Sequence, residues 1–362
     1  MRLIKYFFNN TDSSITKSIL SLSLLSLMLI FASENGLSAF FFKQCVFILL
    51  GFVIYFLLSK INIRLLVKYA YLFYVVAIVF LLATIPLGIS INGSKRWLDF
   101  GFFHLQTSEL IKVCLPILLA KFYDSHKKNI TNKVHLIAFS LTLIPFIIVL
   151  KQPDLGTSLI ILTIGFLAIF LTGYKIKNLI YAFISLVILS PFLWNHLKEY
   201  QKNRILNLFN PEENSLTVGY HTIQAKIAVG SGGLTGKGFL QGTQTTLDFL
   251  PETHTDFIFA VYAEQFGFIG ILLLLSLYYF FILRAFKLSI GMHSDFNRIL
   301  SLSYVMIFST GLIINIGMVI GIFPIVGVPL PFISYGGSAL LTNFIFFGLI
   351  NNLNLNKTLI AD

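Results

Sequence analysis

The stretch PETHTDFIFAVYAEQFGFIG, residues 251–270, sets the interpretation of the whole chain. It opens with polar residues and continues as an apolar run to about Tyr279. As a membrane helix, it places the carboxylate of Asp256 at the boundary with water and that of Glu264 about 12 Å deeper, at about 1.5 Å per residue. An ionisable group at membrane depth is costly and indicates a functional site. The stretch therefore predicts a helix that faces both water and the bilayer.

The composition of the 362-residue chain excludes a soluble globular protein. Hydrophobic residues make up 56% of it and charged residues only 11%, whereas a soluble domain has about 25% charged residues. The formal net charge of +11 does not indicate nucleic-acid binding, because the basic residues fall mostly in alternate loops, as the positive-inside rule describes. Cys45 and Cys114 lie in apolar runs and are predicted to be small buried hydrophobic residues.

Ten apolar runs approach the roughly 20 residues that a membrane span needs. The first is predicted to be a retained span, not a cleaved signal. The basic loops share one face if the spans alternate, which predicts that this face and both termini are cytoplasmic. The fold class is therefore an all-α polytopic membrane protein, a single integral membrane domain over residues 1–362. The predicted spans are 18–32, 40–58, 66–86, 110–123, 136–150, 157–172, 179–194, 257–283, 300–322 and 339–350.

Three notable loops fall on the opposite, extracytoplasmic face. The largest is residues 195–255, between spans 7 and 8, which carries a glycine cluster at 230–238. A loop this long with little helix or strand signal is unusual unless it is functional. The other two are residues 88–108 and 323–338. No internal repeat at a fixed period is present in the sequence, so a repeat-based transporter fold has no direct support.

Four sequence blocks together form a specific pattern. They are QPDLGT at 152–157, GYHTIQAKIAVGSGGLTGKG at 219–238, GTQTTLDFLPETHTDFIFAVYAE at 242–264 and PLPFISYGG at 329–337. On these blocks, the chain from about residue 92 to 352 resembles the SEDS family (shape, elongation, division and sporulation). These proteins are ten-span peptidoglycan glycosyltransferases of the bacterial inner membrane. Lys226, GKG at 236–238 and LDFLPE at 247–252 resemble the elongation branch of the family more than its division branch.

The resemblance implies lipid II, a disaccharide-peptide on a polyprenyl pyrophosphate, as the substrate at the extracytoplasmic face. The glycan would be transferred with inversion to a GlcNAc 4-hydroxyl, without a glycosyl-enzyme. Arg96, Lys112 or a divalent cation (Mg²⁺ or Mn²⁺) are candidates for neutralising the leaving pyrophosphate, and no metal ligands are assigned. Lys226 and Ser334 are further substrate-binding candidates. The implied partner is a class B penicillin-binding protein, a transpeptidase, within the membrane lipids.

Asp256 matches the family's essential aspartate and is the candidate catalytic base. An acid at a helix N-terminus is also favoured for stability alone. Arg96, in SKRWLDFG, matches the family's arginine in this loop and suits a bidentate contact with a pyrophosphate, although interfacial anchoring is the alternative. Glu109 and Lys112 share one helix face. The resemblance implies that they line the central cavity, and a buried structural ion pair is the alternative.

Four residues are assigned supporting roles. Asp154 is predicted to cap the sixth span, with a role in the cavity as the alternative. Glu264 is interpreted as a structural, hydrogen-bonded acid. Gly336 and Gly337 are predicted to allow a tight turn or a close helix approach.

Two other classes of function compete with the polymerase. A lipid flippase or transporter would use Asp256, Glu264, Glu109 and Lys112 as a path through the membrane. It requires polar groups in the cytoplasmic halves of the spans as well, where the sequence shows almost none. A scaffold for a transpeptidase would use the charges only for folding, and it predicts that Asp256→Asn still supports growth.

Overall fold

The structure, a computed structural model, describes residues 11–91, 94–101, 103–196, 199–209, 218–247, 249–250 and 252–355. The described part is mostly helical, with one small sheet. The helices are α1 (Ser13–Ser33), α2 (Ala39–Leu58), α3 (Ile63–Leu87), α4 (Thr107–Ser125), α5 (Asn132–Lys151), α6 (Leu155–Leu171), α7 (Ile176–His196), α8 (Glu199–Phe209), α9 (Val218–Ser231), α10 (Thr243–Thr246), α11 (Ile258–Ile290), α12 (Asp295–Val319) and α13 (Gly337–Leu355). The strands are β1 (Ile89–Ile91), β2 (Ser94–Asp99) and β3 (His104–Gln106).

Polar side chains fix where several of the apolar helices begin. Asp12, Ser38, Asn62 and Asp154 each accept a hydrogen bond from a backbone N–H in the first turn of α1, α2, α3 and α6. These N–H groups have no partner inside the helix, so a side-chain oxygen just before the first turn stabilises the start of the helix. Each cap therefore separates a polar connection from the apolar run that follows it.

Ten helices occupy the positions of the ten predicted spans. Within the described residues, seven of them are long and apolar enough to cross a membrane. Helix α6 is apolar but has only 17 residues. These helices confirm the prediction of a multi-pass membrane protein. The two termini predicted to be cytoplasmic fall in residues 1–10 and 356–362, outside the described residues.

Two of the predicted loops contain regular structure. Residues 88–108 hold an antiparallel sheet in the order β1-β2-β3, so the chain is mostly helical and the prediction of an all-α fold is wrong at this point. The described parts of residues 195–255 include α8, α9 and α10. Strands β1 and β3 have only three residues each, too few for an alternation of apolar and polar residues to indicate them. Strand β2, SKRWLD, is longer but does not alternate.

Side-chain contacts define two opposite ends of the helix bundle. At one end, Arg284 of α11 donates to the carboxylate of Asp12, and the side-chain oxygen of Asn351, near the end of α13, accepts from the Asp12 N–H at 2.8 Å. At the other end, His254, before α11, lies 2.9 Å from the carboxylate of Glu34, after α1. Helices α1 and α11 therefore run between the same two ends in opposite directions.

An aromatic cluster fills the centre of the bundle between α11, α12 and α13. The rings of Phe281 and Phe347 are 4.5 Å apart between centroids, and those of Phe308 and Phe347 are 5.0 Å apart. Phe332, from the segment before α13, packs its ring 5.1 Å from that of Phe344. Because these side chains are fully buried, they fix the segment before α13 against the core. That segment supports the site described next.

Candidate active site

Asp256 lies in a turn just before α11 whose backbone is held at three consecutive residues. The carbonyl oxygens of residues 254–256 accept hydrogen bonds, in that order, from Tyr335 N at 2.8 Å, Ser334 Oγ at 2.6 Å and Asn315 Nδ2 at 3.0 Å. Two of these donors come from the segment before α13 and the third comes from α12. The position of Asp256 is therefore set by packing of the core and not by its own side chain.

The side chains of Asn315 and Ser334 form hydrogen bonds with the protein's own backbone. The fully buried Asn315 also donates to Val328 O at 2.8 Å, so its amide joins the turn at Asp256 to the segment before α13. The hydroxyl of Ser334 accepts from Leu330 N at 2.7 Å in addition to donating to the turn. The structure thus places Ser334, predicted to bind substrate, in the support of the turn.

His254 anchors the same turn to the connection between α1 and α2. Its ring stacks on Phe40 with 4.3 Å between centroids, and its Nδ1 lies 2.9 Å from Glu34 Oε1. The ring of Tyr335 contacts His254 edge-on at 5.8 Å. The residue is therefore held by aromatic and polar contacts within the protein.

Strand β2 carries Arg96 to the start of α6. Its guanidinium donates from Nε to Gln152 O at 3.3 Å and from Nη2 to Pro153 O, and its Nη1 lies 3.8 Å from Asp154 Oδ2. Asp154 is almost fully buried and accepts from Thr157 N at 3.1 Å. Asp154 thus caps α6 with one carboxylate oxygen and faces Arg96 with the other.

The environment of Asp256 favours its protonated form. Although part of the residue stays accessible, burial raises the pKa of its carboxyl group to about 6. The carboxylates of Glu252 and Asp154 add to the rise, whereas the guanidinium groups of Arg96 and Arg204 oppose it. Withdrawal from water and nearby like charges both disfavour a carboxylate. The result is a carboxyl group that changes protonation close to neutral pH, as a general base requires.

Helix α11 is broken at Gly267, whose φ of 62° is not helical. The loop 233–238, in the glycine cluster, inserts at the break. In a continuous helix, each backbone N–H pairs with the carbonyl four residues earlier. The break leaves two carbonyl and two N–H groups of α11 without these partners, and the loop supplies replacements. The four bonds are Lys237 N to Glu264 O (3.0 Å), Gly238 N to Gln265 O (3.0 Å), Phe268 N to Gly233 O (2.9 Å) and Ile269 N to Leu234 O (3.0 Å).

The side chain of Glu264 completes this junction. Its Oε1 accepts from Lys237 Nζ at 2.7 Å, Thr243 Oγ1 at 3.1 Å and Gln244 N at 3.1 Å, and the residue is fully buried. The prediction of an uninterrupted helix is therefore wrong at Gly267. Glu264 precedes the break, so its depth of about 12 Å below Asp256 stays a prediction, and its carboxylate pairs with the loop.

Glu109 and Lys112 form the ion pair that their spacing predicts. Lys112 Nζ lies 2.5 Å from Glu109 Oε1 on α4, and both side chains are buried. The second oxygen, Glu109 Oε2, has no hydrogen-bond partner among the described residues. The pair is not among the charged groups that shift the pKa of Asp256. The pair is formed within α4, apart from the contacts that hold the turn at Asp256.

The remaining predicted site residues occupy separate positions. Lys226 is exposed on α9, and its stem lies against Gly321, where an added Cβ would sit 2.0 Å from Lys226 Cε. Gly337 packs under the ring of Phe47, which a Cβ would meet at 2.5 Å. A Cβ on Gly336 would meet nothing closer than 3.9 Å. Close approach thus requires glycine at position 337 and not at 336.

A bound divalent cation receives no support from the side chains. No group of three or more histidine, cysteine, aspartate or glutamate residues converges as a metal site within the described part of the chain. Two carboxylates near Asp256 raise its pKa, but they do not form such a group. We therefore derive no catalytic step through a resident metal ion.

Known proteins share both the sequence and the fold. The family model described as cell cycle protein, which covers FtsW, RodA and SpoVE, matches residues 14–359. The chain belongs to this family. Peptidoglycan glycosyltransferase MrdB of Escherichia coli K12 is 38% identical over 315 residues, covering 87% of this chain and 85% of that protein. MrdB of Helicobacter pylori 26695 is 36% identical over 341 residues, covering 92% of this chain and 87% of that protein.

Solved structures agree with this SEDS membership at the level of the fold. One chain of a peptidoglycan synthase complex, described as coordinating polymerization and crosslinking, superposes with a TM-score of 0.85 at 26% identity, over 96% of this chain and 98% of that one. The rod shape determining protein RodA of Thermus thermophilus gives a TM-score of 0.74 at 24% identity, over the same shares of the two chains.

Sequence reasoning about this SEDS protein missed three residues that shape the site. Asn315 holds Asp256 in place, Lys237 neutralises Glu264, and Glu252 raises the pKa of Asp256. Asn315 left a usable signal, since an amide inside an apolar span requires polar partners. Lys237 left none, because only the folded loop brings it near Glu264. Glu252 lies four residues before Asp256, but its effect on the pKa of Asp256 depends on how the turn folds.

Proposed function

We propose that this chain is a peptidoglycan glycosyltransferase that polymerises glycan strands from lipid II in cell-wall elongation and rod-shape maintenance. The observation that carries the proposal is the Asp256 carboxyl group, which has a pKa of about 6 and a backbone fixed by three hydrogen bonds. The names of the MrdB relatives support the activity and the RodA-like, elongation branch. Two of the other sequence blocks contribute to this turn: Ser334 and Tyr335 hold its backbone, and Asp154 raises the pKa of Asp256.

In the proposed reaction, Asp256 removes the proton from the 4-hydroxyl of the acceptor GlcNAc. The oxygen forms a bond to the anomeric carbon of the donor glycan, the bond from that carbon to the lipid pyrophosphate breaks, and the configuration inverts. The proton on Asp256 then passes to water. A base whose pKa lies near the working pH is both deprotonated and able to accept a proton, which matches the environment of Asp256.

The pyrophosphate leaving group needs positive charge more than it needs a proton. Arg96 is held at the start of α6 by two carbonyl groups and by Asp154, so its guanidinium is oriented before substrate binds, and preorganised charge is effective in catalysis. Lys226 is a second candidate, because it is exposed and has no acidic partner among the described residues. Glu109 and Lys112 are proposed to line the substrate cavity as a neutralised pair.

The topology proposed for the chain has ten spans in one integral domain of the bacterial inner membrane. Both termini are cytoplasmic, and residues 195–255 form an extracytoplasmic loop that includes part of the active site. The separation of the Asp12 end of the bundle from the Asp256 end supports this arrangement. A transpeptidase of the class B penicillin-binding type is the proposed partner, supported by the synthase complex with the matching fold.

The test compares wild type, Asp256→Asn and Lys127→Gln for polymerisation of labelled lipid II, with and without the transpeptidase. We expect Asp256→Asn to lose about 100-fold or more in rate, the range seen for general bases. Lys127→Gln changes an exposed lysine in the connection after α4 and should retain activity. Equal rates in all three proteins would remove Asp256 from the chemistry. Movement of lipid II across vesicles without glycan would instead favour a flippase.

A further inference from the structure

A polar cavity lies at the end of the bundle away from Asp256. It has a volume of about 300 Å³ and lies where α5 and α7 begin and α6 ends. Helix α6 leads from Asp154 at the active-site end to this cavity, and its 17 residues span about 25 Å. The cavity is therefore separate from the proposed catalytic site.

Two long helices begin at this cavity. Asn132 is the first residue of α5 and lines the cavity, as do Lys175, just before α7, and Asn178, in its first turn. The side chain of Thr131, which precedes α5, makes no capping hydrogen bond. The free N–H groups and the positive end of the dipole at a helix start favour an anion.

The side chains that line the cavity suit the same kind of ligand. Lys175 supplies a positive charge, and none of the lining residues is acidic. His135 is 92% buried, from a relative exposure of 8%, and its Nδ1 is paired with the Tyr123 hydroxyl at 3.1 Å. Its other ring nitrogen, Nε2, has no hydrogen-bond partner among the described residues. Tyr174 packs its ring 4.6 Å from that of His135 and fixes the ring's orientation.

We propose that this cavity binds a phosphate group, either in the headgroup of an anionic glycerophospholipid or as free phosphate. A tetrahedral oxyanion can accept at once from N–H groups at the helix starts, from Lys175, and from His135 Nε2 in the tautomer in which the Tyr123 hydroxyl donates to Nδ1. The volume leaves room for a glycerol unit beside the phosphate. The neighbouring connection carries Lys127 and Lys128. In the proposed topology it faces the cytoplasmic leaflet, whose anionic lipids attract basic segments. The proposal is independent of the proposed glycosyltransferase activity.

Thermal unfolding of the full chain in a neutral detergent tests the site. The ligands are dihexanoyl phosphatidylglycerol, dihexanoylglycerol, which lacks the phosphate, and inorganic phosphate. We expect phosphatidylglycerol to raise the Tm of wild type in a saturable manner and dihexanoylglycerol to leave it unchanged. Lys175→Gln should weaken the apparent Kd at least tenfold. Lys177→Gln, the matched control, removes an exposed lysine that does not line the cavity and should bind as wild type does.

The response to inorganic phosphate distinguishes the two sources of the phosphate group. An effect of inorganic phosphate that depends on Lys175 would identify free phosphate as sufficient, and an effect of phosphatidylglycerol alone would identify the lipid headgroup. Equal shifts with phosphatidylglycerol and dihexanoylglycerol would overturn the proposal. Equal affinities of the Lys175→Gln and Lys177→Gln proteins would also overturn it. The chemical shift of His135 Nε2 on titration gives a second readout that does not depend on stability.

Discussion

At the scale of single residues, the protonation of Asp256 should set the acid limit of activity. Its pKa of about 6 means that the base is largely protonated below that pH. We expect kcat/KM for glycan synthesis to be constant above about pH 7 and to fall about tenfold per pH unit well below 6. The measurement is the rate of polymerisation of labelled lipid II between pH 5 and 8.

Glu252→Gln provides the matched variant for this prediction. The charge of Glu252 raises the pKa of Asp256, so its removal should move the acid limb to lower pH while leaving the plateau in place. Glutamine keeps an oxygen that can accept from Thr255 Oγ1, as Glu252 does at 2.8 Å. An acid limb at the same pH in both proteins would show that another group is titrating.

The same carboxyl group should also affect the stability of the fold. Activity should rise as the group ionises with increasing pH, whereas stability should fall. The pKa of Asp256 in the folded chain lies above the ordinary value of 3.8, so folding disfavours its ionisation. The contribution to stability is therefore lost as pH rises from about 4 through about 6. This loss of stability at neutral pH is the physical cost of holding an ionisable carboxyl group in a partly buried position.

Sequence reasoning at this scale gave the structural role of Asp154, because a carboxylate just before an apolar run is a visible helix cap. The catalytic roles of Asp256 and Arg96, taken from the family resemblance, stay predictions. Ser334 was predicted to face substrate, but its hydroxyl serves the backbone around Asp256. A hydroxyl group has the same sequence signal in either role, and only the folded segment before α13 decides between them.

At the scale of elements, the junction between the glycine cluster and α11 requires glycine at position 236. Its φ is +79°, and an added Cβ would lie 2.1 Å from Gln265 O. We expect Gly236→Ala to lower the Tm by several degrees, since a strained backbone alone costs about 1–3 kcal/mol. Gly230→Ala is the matched control, because a Cβ there meets nothing within 4 Å and the position is helical. Indistinguishable Tm values for the two variants would contradict the junction.

The same junction explains why the boundaries of α11 could not be predicted. The run after Asp256 is apolar without interruption, and a single glycine such as Gly267 is common in membrane helices. The break is stabilised by four hydrogen bonds to a loop about 30 residues earlier in the chain, and no local pattern encodes such a contact. The positions of the helices were predicted well, because their length and hydrophobicity are local properties.

At the scale of the whole molecule, the proposed topology predicts that the two ends of the bundle face opposite sides of the membrane. Lys127 lies in the basic connection after α4, whereas Lys95 lies on β2, beside Arg96 at the active-site end. In a chain with Cys45→Ser and Cys114→Ala, we expect Lys95→Cys to react with an impermeant maleimide in sealed right-side-out vesicles. Lys127→Cys should react at least tenfold less until the membrane is permeabilised. Ten spans place both termini on the same side of the membrane, whereas nine would place them on opposite sides. Tags on both termini should therefore share the accessibility of Lys127→Cys. Labelling of Lys127→Cys alone in sealed vesicles would reverse the orientation and place Asp256 on the side without lipid-linked acceptor.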